Sequence, residues 1–259
     1  MKLPFYWVDA FTDKIFHGNP AGICPLDKWP MDEVMQKIAF ENGLAETAYY
    51  VPENDGFRLR WFTPLMEVDL CGHATLAAAH IAFYERGYPK SIITFHSRSG
   101  SLHVAKRDGL LEMDFPSRPA KMCAVPPALA RALHAEPTWG GQARDFMAVF
   151  SNEAEVRALQ PDFEALAKLD LFAVIATAPG DESDFVSRFF APKAGISEDH
   201  VTGSAHCTLV PYWAEQLGKN RLHAFQRSPR GGELWCELAG DRVKIAGKCA
   251  LYLRGEITV

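Results

Sequence analysis

The stretch Phe57-Arg58-Leu59-Arg60-Trp61-Phe62-Thr63-Pro64 returns 128 residues later as Phe185-Val186-Ser187-Arg188-Phe189-Phe190-Ala191-Pro192. The match extends both ways at a nearly constant offset. Upstream, Ile38-Ala39 meets Leu166-Ala167 at 128; downstream, Gly72-His73-Ala74 meets Gly203-Ser204-Ala205 at 131. Gly87 and Gly218 follow at 131. Leu102-His103-Val104 then meets Leu234-Trp235-Cys236, and Leu111-Glu112-Met113 meets Val243-Lys244-Ile245, both at 132. An ordered series of this kind points to internal duplication, and a repeat decides the fold before any single element does.

Each copy reads as the same elements. A short amphipathic helix comes first, Asp32 to Phe40 closed by Asn42-Gly43, and Asp162 to Leu169 in the second copy. Acidic starts and an Asn-Gly stop are boundary signals. A strand follows, with Phe57, Leu59 and Trp61 on one face and Phe185, Ser187 and Phe189 on its counterpart. A loop then enters a second helix, Ala74 to Arg86 or Ala205 to Leu217. Alternating strands close each copy: Ile92–Phe95, Leu102–Ala105 and Leu110–Phe115, then Leu222–Phe225, Leu234–Leu238 and Arg242–Ala246.

The two loop-entered helices have almost no polar face, and a helix that is apolar all round is buried all round. The expected fold is therefore α+β: two similar halves, each a central helix wrapped by its own strands, related by a pseudo-twofold axis. Pro211 lies inside the second of these helices, where it removes a hydrogen bond and is expected to kink or shorten it. The expected domains are 1–118 and 119–259, with the last strand, about 250–259, a candidate to join the first half. The join is placed at Pro116 to Asp145, which holds five prolines and Gly140-Gly141, with a short helix around Ala128 to His134.

Composition bounds the function. The 259 residues are 48% hydrophobic and 23% charged, ordinary for a globular protein. A net charge of −5 leaves no electrostatic footprint for nucleic acid or an anionic membrane. No window approaches the roughly 20 apolar residues of a membrane span. The start of the chain reads as neither signal peptide nor transit sequence. Six cysteines without a Cys-x-x-Cys pair suggest reduced, buried thiols and a cytoplasmic protein.

The chemistry is expected at the loop–helix junctions, Glu67-Val68-Asp69-Leu70-Cys71-Gly72-His73-Ala74-Thr75 and Glu198-Asp199-His200-Val201-Thr202-Gly203-Ser204-Ala205-His206-Cys207. Glycine allows close approach of a ligand, and first-turn N–H groups with the helix dipole favour an anion. The plainer alternative makes Ser204 an N-cap and the glycines turn residues. Glu46 follows a helix stop and enters an apolar strand, flanked by Leu44, Ala45 and Ala48; the repeat places Val174 opposite it. A carboxylate there suits a general acid and base, and a solvated strand-end glutamate is the competing reading. His17-Gly18-Asn19-Pro20-Ala21-Gly22 reads as a turn, with a weaker claim to be a binding loop.

These residues resemble the PhzF (phenazine biosynthesis-like) family of the diaminopimelate epimerase-like superfamily, nearly end to end. The resemblance rests on Val8-Asp9-Ala10-Phe11-Thr12, Gly18-Asn19-Pro20-Ala21, Glu46-Thr47-Ala48, Arg60-Trp61-Phe62-Thr63-Pro64 and Glu67 to Leu76. In the second half it rests on Phe190-Ala191-Pro192, Gly195-Ile196, Glu198-Asp199, Val201 to Cys207 and Arg230-Gly231-Gly232. It implies two β-rolls, each around a central helix, with the active site between them. It also implies an isomerase that moves a proton on carbon of a small carboxylate-bearing substrate without metal or organic cofactor. Glu46 matches the catalytic glutamate; His73, Asp199 and Ser204 match polar residues that hold substrate, and the first two are expected to share the proton traffic. Gly72 and Gly203 match the glycines at the helix starts, and Asn19 is carried over as substrate-binding. His200 stands where the family more often has proline. A homodimer is an open expectation without a sequence signature.

Two rivals remain. The superfamily's epimerases use two thiols; Cys71 matches the first position, but no cysteine stands near Asp199, and Cys207 lies further along. An epimerase or racemase using Cys71 is thus an alternative, as is a binding or scaffold protein without turnover. Metal is disfavoured, since His73/His80 and His200/His206 lack the i,i+4 ligand spacing. No Gly-x-Ser-x-Gly elbow, dinucleotide fingerprint or Walker loop is present. Arg227 and Arg230 read as a solvated hairpin.

Overall fold

Apolar alternation and helix caps become strands and helices much where the pattern puts them. The computed structural model describes residues Met1–Val259. It is a mixed α/β fold with many strands and few helices, and its chain divides into two compact units, Met1–Asp114 with Ala246–Val259, and Phe115–Ile245. No helix is long and apolar enough to cross a membrane.

The first unit runs β1 (Lys2–Ala10), β2 (Asn19–Pro25), α1 (Asp32–Asn42), β3 (Glu46–Glu53), β4 (Gly56–Phe62), β5 (Glu67–Val68), α2 (Gly72–His80), β6 (Ile92–Ser97), β7 (Gly100–Arg107) and β8 (Leu110–Pro116). The second runs β9 (Lys121–Met122), α3 (Pro127–Leu133), β10 (Trp139–Gln142), β11 (Phe146–Val149), α4 (Glu153–Ala158), α5 (Phe163–Ala167), β12 (Val174–Pro179), β13 (Phe185–Ala191), β14 (Ile196–Asp199), α6 (Gly203–Leu217), β15 (Arg221–Gln226), β16 (Gly232–Ala239) and β17 (Arg242–Gly247). The last strand, β18 (Cys249–Thr258), pairs antiparallel with β1.

The strand pairings form one series, stated twice. In the first unit β1–β2 is antiparallel, β2–β3 parallel, β3–β4 and β4–β5 antiparallel, β4–β6 parallel and β6–β7 antiparallel. In the second, β10–β11 is antiparallel, β11–β12 parallel, β12–β13 and β13–β14 antiparallel, β13–β15 parallel and β15–β16 antiparallel.

α1 stops where Gly43 takes a left-handed turn and its N–H returns to Ala39 and Phe40 carbonyls. Its buried face, Met35, Ile38 and Ala39, packs with Leu3, Phe5, Tyr49 and Phe62. Phe146, Phe150, Phe190 and Leu133 anchor the corresponding cluster of the second unit. Each large side chain buried this way contributes about 1.5–3 kcal/mol. α2 packs against β1, β2, β3 and β18, and every residue from His73 to Ala79 is buried. α6 packs on β15 and β16.

Four expectations change. The helix read as Ala74–Arg86 begins at Gly72, is α-helical to His80, and then widens into a π-turn over Ile81–Glu85, with Arg86 N–H bonding the Ile81 carbonyl. Pro211 does not shorten α6, which is 15 residues long. The carbonyl that Pro211 leaves without an i→i−4 donor is that of Cys207, and Arg118 N–H donates to it at 2.8 Å. The stretch Pro116 to Asp145 is not a plain join: β9, α3 and β10 lie within it, and β10 pairs with β11. Finally, only His17-Gly18 belongs to a turn, because Asn19 opens β2, whose seven residues are all buried.

Candidate functional site

In the first unit three neighbouring elements bring their ends together. Asn19 is the first residue of β2, Glu46 the first of β3, and His73 the second of α2. β2 and β3 run parallel with Ala21 opposite Glu46, so their starts lie side by side. α2 packs across both strands. His73 Nε2 lies 3.2 Å from Glu46 Oε2, with the two side chains 7% and 14% exposed. On the other edge of the ring, Asn19 Nδ2 is 3.3 Å and Cys71 Sγ 3.5 Å from His73 Nδ1. Asn19 is wholly buried and Cys71 nearly so. The structure thus brings together three expected site residues of the first unit, Glu46, His73 and Asn19. Gly72 opens the helix between Cys71 and His73.

Glu46, Cys71 and His73 each offer one ligand atom, and these atoms lie within 4.8 Å of one another. That spacing is within reach of a tetrahedral ion. The directions are less suited to one, because Glu46 faces Nε2 and Cys71 faces Nδ1. The two ring nitrogens point in diverging directions, so the arrangement suits a chain of proton donors and acceptors better than a cap around one point.

In the second unit Asp199 closes β14, and Thr202 is the N-cap of α6. Thr202 Oγ1 donates to Asp199 Oδ2 at 2.5 Å. Gln226, wholly buried at the end of β15, holds this loop from behind. Its Oε1 accepts from Thr202 N at 2.8 Å, and its Nε2 donates to Asp199 O at 2.8 Å. His206 shares the lock through Nδ1 and the Thr202 carbonyl, 2.9 Å apart. Burial lowers the His206 pKa to about 4, so its ring is neutral near pH 7. His200, beside Asp199, also has a lowered pKa, from burial first and then the nearby Arg230. Its carbonyl accepts from Ser228 Oγ at 2.7 Å.

Gly203 and Ser204 occupy the first two positions of α6, as Gly72 and His73 do in α2. The N-caps are Cys71 and Thr202, and neither gives its helix a capping side-chain bond. Ser204 is therefore not the N-cap that a structural reading would make it. No acidic residue stands in either first turn, which leaves the positive end of each dipole uncompensated by its own helix. Arg144 Nη2 donates to Ser204 Oγ at 3.3 Å while forming a two-pronged pair with Asp145, and its guanidinium lies 5.2 Å from the Phe172 ring centre.

Thr202, Gln226 and Arg144 were not singled out from sequence. Gln226 is 24 residues from its Thr202 partner and Arg144 is 60 from Ser204, so no local spacing reveals either.

Comparisons with known proteins identify the family. A family model described as phenazine biosynthesis-like protein matches residues 8–255. Two Pseudomonas aeruginosa proteins, each named an uncharacterized isomerase, are 50% and 47% identical to the chain, over 99% of each partner. A crystal structure of a PhzF-family phenazine biosynthesis protein from Enterococcus faecalis superposes with a TM-score of 0.99 at 45% identity, covering all of both chains.

Proposed function

The chain belongs to the PhzC-PhzF family of phenazine biosynthesis-like proteins, and from that premise we propose that it is an isomerase that moves a proton on carbon of a small carboxylate-bearing substrate. Glu46 is the general acid and base of this reading. As a carboxylate it takes the proton from one carbon; as the resulting acid it returns a proton to another. Atoms and charge balance without an external oxidant, and the proposed steps run through protein side chains alone.

The observation that carries the proposal is the contact between His73 Nε2 and Glu46 Oε2 at 3.2 Å, in a nearly buried pair at the start of a buried helix. A base must sit within hydrogen-bond reach of its proton, and a low-dielectric setting strengthens each electrostatic contact made there. The names of the two Pseudomonas relatives support the reaction class. Asp199 and Ser204 enter as groups that hold and orient the substrate, together with the backbone N–H groups at Gly72 and Gly203. Two copies of one ancestral half account for the repeated pairing series and for His73 and Ser204 sharing a helix position.

The test is incorporation of solvent deuterium into a panel of small cyclic and α-amino carboxylates. Wild type is expected to label a member of the panel, and Glu46→Gln to lose roughly 10²–10⁴-fold of that rate. Equal labelling by both proteins would sink the assignment of Glu46. Ligand heat in calorimetry with no labelling by wild type would favour a binding protein instead. One observation supports a second reading, an epimerase using Cys71: its Sγ lies 3.5 Å from His73 Nδ1, within reach of an imidazole that could activate a thiol.

A further inference from the structure

We propose that Asn19 is a positioning residue: its buried amide donates to Nδ1 of His73 and holds the neutral ring in the Nε2–H form that faces Glu46. A residue expected to touch substrate would then act through the histidine.

The inference starts with the backbone. Gly18 has φ +65°, and a Cβ built on it would lie 2.2 Å from the Ala10 carbonyl oxygen. The turn into β2 is therefore restricted to glycine, and it delivers Asn19 to a fixed place opposite Ala10 of β1. Asn19 is wholly buried there, within a strand buried along its whole length. A side chain so enclosed has few rotamers to choose from, so its amide is a rigid hydrogen-bonding group.

Charge logic then orients the proton. An ionised Glu46 with Oε2 3.2 Å from Nε2 favours a hydrogen on Nε2, since two acceptors would otherwise face each other, although the pair is not aligned as a hydrogen bond. A neutral imidazole with Nε2–H offers a lone pair at Nδ1. Two groups that donate lie there, the Asn19 amide nitrogen at 3.3 Å and the Cys71 thiol at 3.5 Å. A doubly protonated ring would instead point N–H at an N–H donor. Asn19 thus opposes the imidazolium and selects one tautomer of the neutral ring, the second-partner effect that decides which histidine nitrogen is protonated. The opposite assignment turns the amide oxygen to Nδ1, moves the ring proton there, and requires Glu46 to be the protonated partner. Amide orientation and tautomer form one coupled choice, and the ring nitrogens report it directly.

The tautomer stands on this geometry together with an ionised Glu46, whereas its use in turnover rests on the isomerase reading. The experiment is long-range ¹H–¹⁵N correlation of histidine-labelled wild type, with His73 assigned by its loss in His73→Gln. At about pH 8, well above the ordinary histidine pKa, His73 is expected to show a pyrrole-like Nε2 and a pyridine-like Nδ1. Asn19→Asp puts an acceptor at Nδ1, so Nδ1 is expected to become pyrrole-like. An Nδ1–H or doubly protonated His73 in wild type overturns the proposal, as does an unchanged spectrum in Asn19→Asp. If that variant fails to fold, the wild-type spectrum decides. The predicted tautomer without deuterium labelling would sink the isomerase reading alone; labelling with the wrong tautomer would sink this proposal alone.

Discussion

Arg188 and Glu198 face each other across β13 and β14 as a two-pronged ion pair, Nε to Oε1 at 2.7 Å and Nη2 to Oε2 at 2.8 Å. Arg60 and Glu67 repeat the pair on β4 and β5 at the same two distances. Each glutamate stands five residues ahead of the glycine that opens a site helix, Gly72 or Gly203, and Glu198 adjoins Asp199. The far side of each guanidinium is tied to an outer helix: Arg188 to the Val156 and Leu159 carbonyls, Arg60 to Asp32. The arginines therefore fasten the strand before each junction to the scaffold.

Both members of the Arg188–Glu198 pair are about nine-tenths enclosed. Removing one partner strands the other in a low-dielectric place, which costs about 3 kcal/mol. Glu198→Gln is expected to lose that much in urea unfolding. Arg188→Lys is expected to lose stability too, because an ammonium cannot reproduce the planar fork. Glu256→Gln, which breaks the exposed Lys2–Glu256 pair, is the control and should change stability by less than about 1 kcal/mol. Equal effects at the two glutamates would refute the special role of the enclosed pair.

Cys71 separates the two enzymatic readings. It contributes a thiol to the Nδ1 side of His73, where the Asn19 amide already lies. With Glu46 as the acid and base, Cys71→Ala is expected to keep deuterium labelling within about tenfold of wild type, against the roughly 10²–10⁴-fold cost of losing an acid–base group. Loss on that larger scale, with the fold intact by circular dichroism, would move the chemistry to the thiol.

Acid should destabilise the second unit through His206. An unfolded histidine takes its proton near 6.5, whereas burial holds folded His206 to about 4. Between those values the unfolded chain binds more protons, so stability rises with pH across the window. The contribution is complete above about 6.5 and is lost as pH falls toward 4, by roughly 3 kcal/mol at about 1.4 kcal/mol per pKa unit. His206→Gln removes the titration and should flatten stability between pH 4 and 6.5 in urea titrations. Superimposable acid limbs for the two proteins would contradict this. His80, also lowered to about 4 by burial, remains in both and leaves a common slope.

Elements whose pattern is local were legible in the sequence. α1 announces itself by its acidic first turn and the Asn42-Gly43 stop, and α5 by Asp162, whose side chain accepts from Ala165 N. β2 was hidden because Gly22 within it, close behind Gly18, imitates a turn. Gly22 is there for close approach instead: a Cβ on it would lie 2.9 Å from the Phe5 ring. Gly140 in β10 is the same case, with Phe146 and Val125 each 2.9 Å from its absent Cβ. Tertiary packing thus reverses the ordinary meaning of glycine in both strands. Pro211 misled in the same way, since the donor that rescues its helix, Arg118, is remote in sequence. For the proposed site, Glu46, His73, Asp199 and Ser204 could be named as candidates from the sequence. The side chains that hold them could not, since Gln226 and Arg144 meet the site only through the fold.

Gly18 offers a direct measure of that distinction. Gly18 and Gly87 both have φ +65°, so alanine at either incurs the left-handed penalty of about 1–2 kcal/mol. Nothing lies within 4 Å of a Cβ on Gly87, whereas one on Gly18 meets the Ala10 oxygen at 2.2 Å and Thr12 Cγ2 at 2.7 Å. Gly87→Ala is therefore expected to lose only the backbone penalty, and Gly18→Ala about 1–3 kcal/mol more, the usual range for overpacking. The excess should not remain a stability effect alone. Moving the start of β2 away from β1 carries Asn19 with it, so Gly18→Ala is also expected to disturb the His73 ring-nitrogen signals, while Gly87→Ala leaves them in place. Equal stability losses in the two variants, or an untouched His73 in Gly18→Ala, would mean that this turn does not set the position of the asparagine.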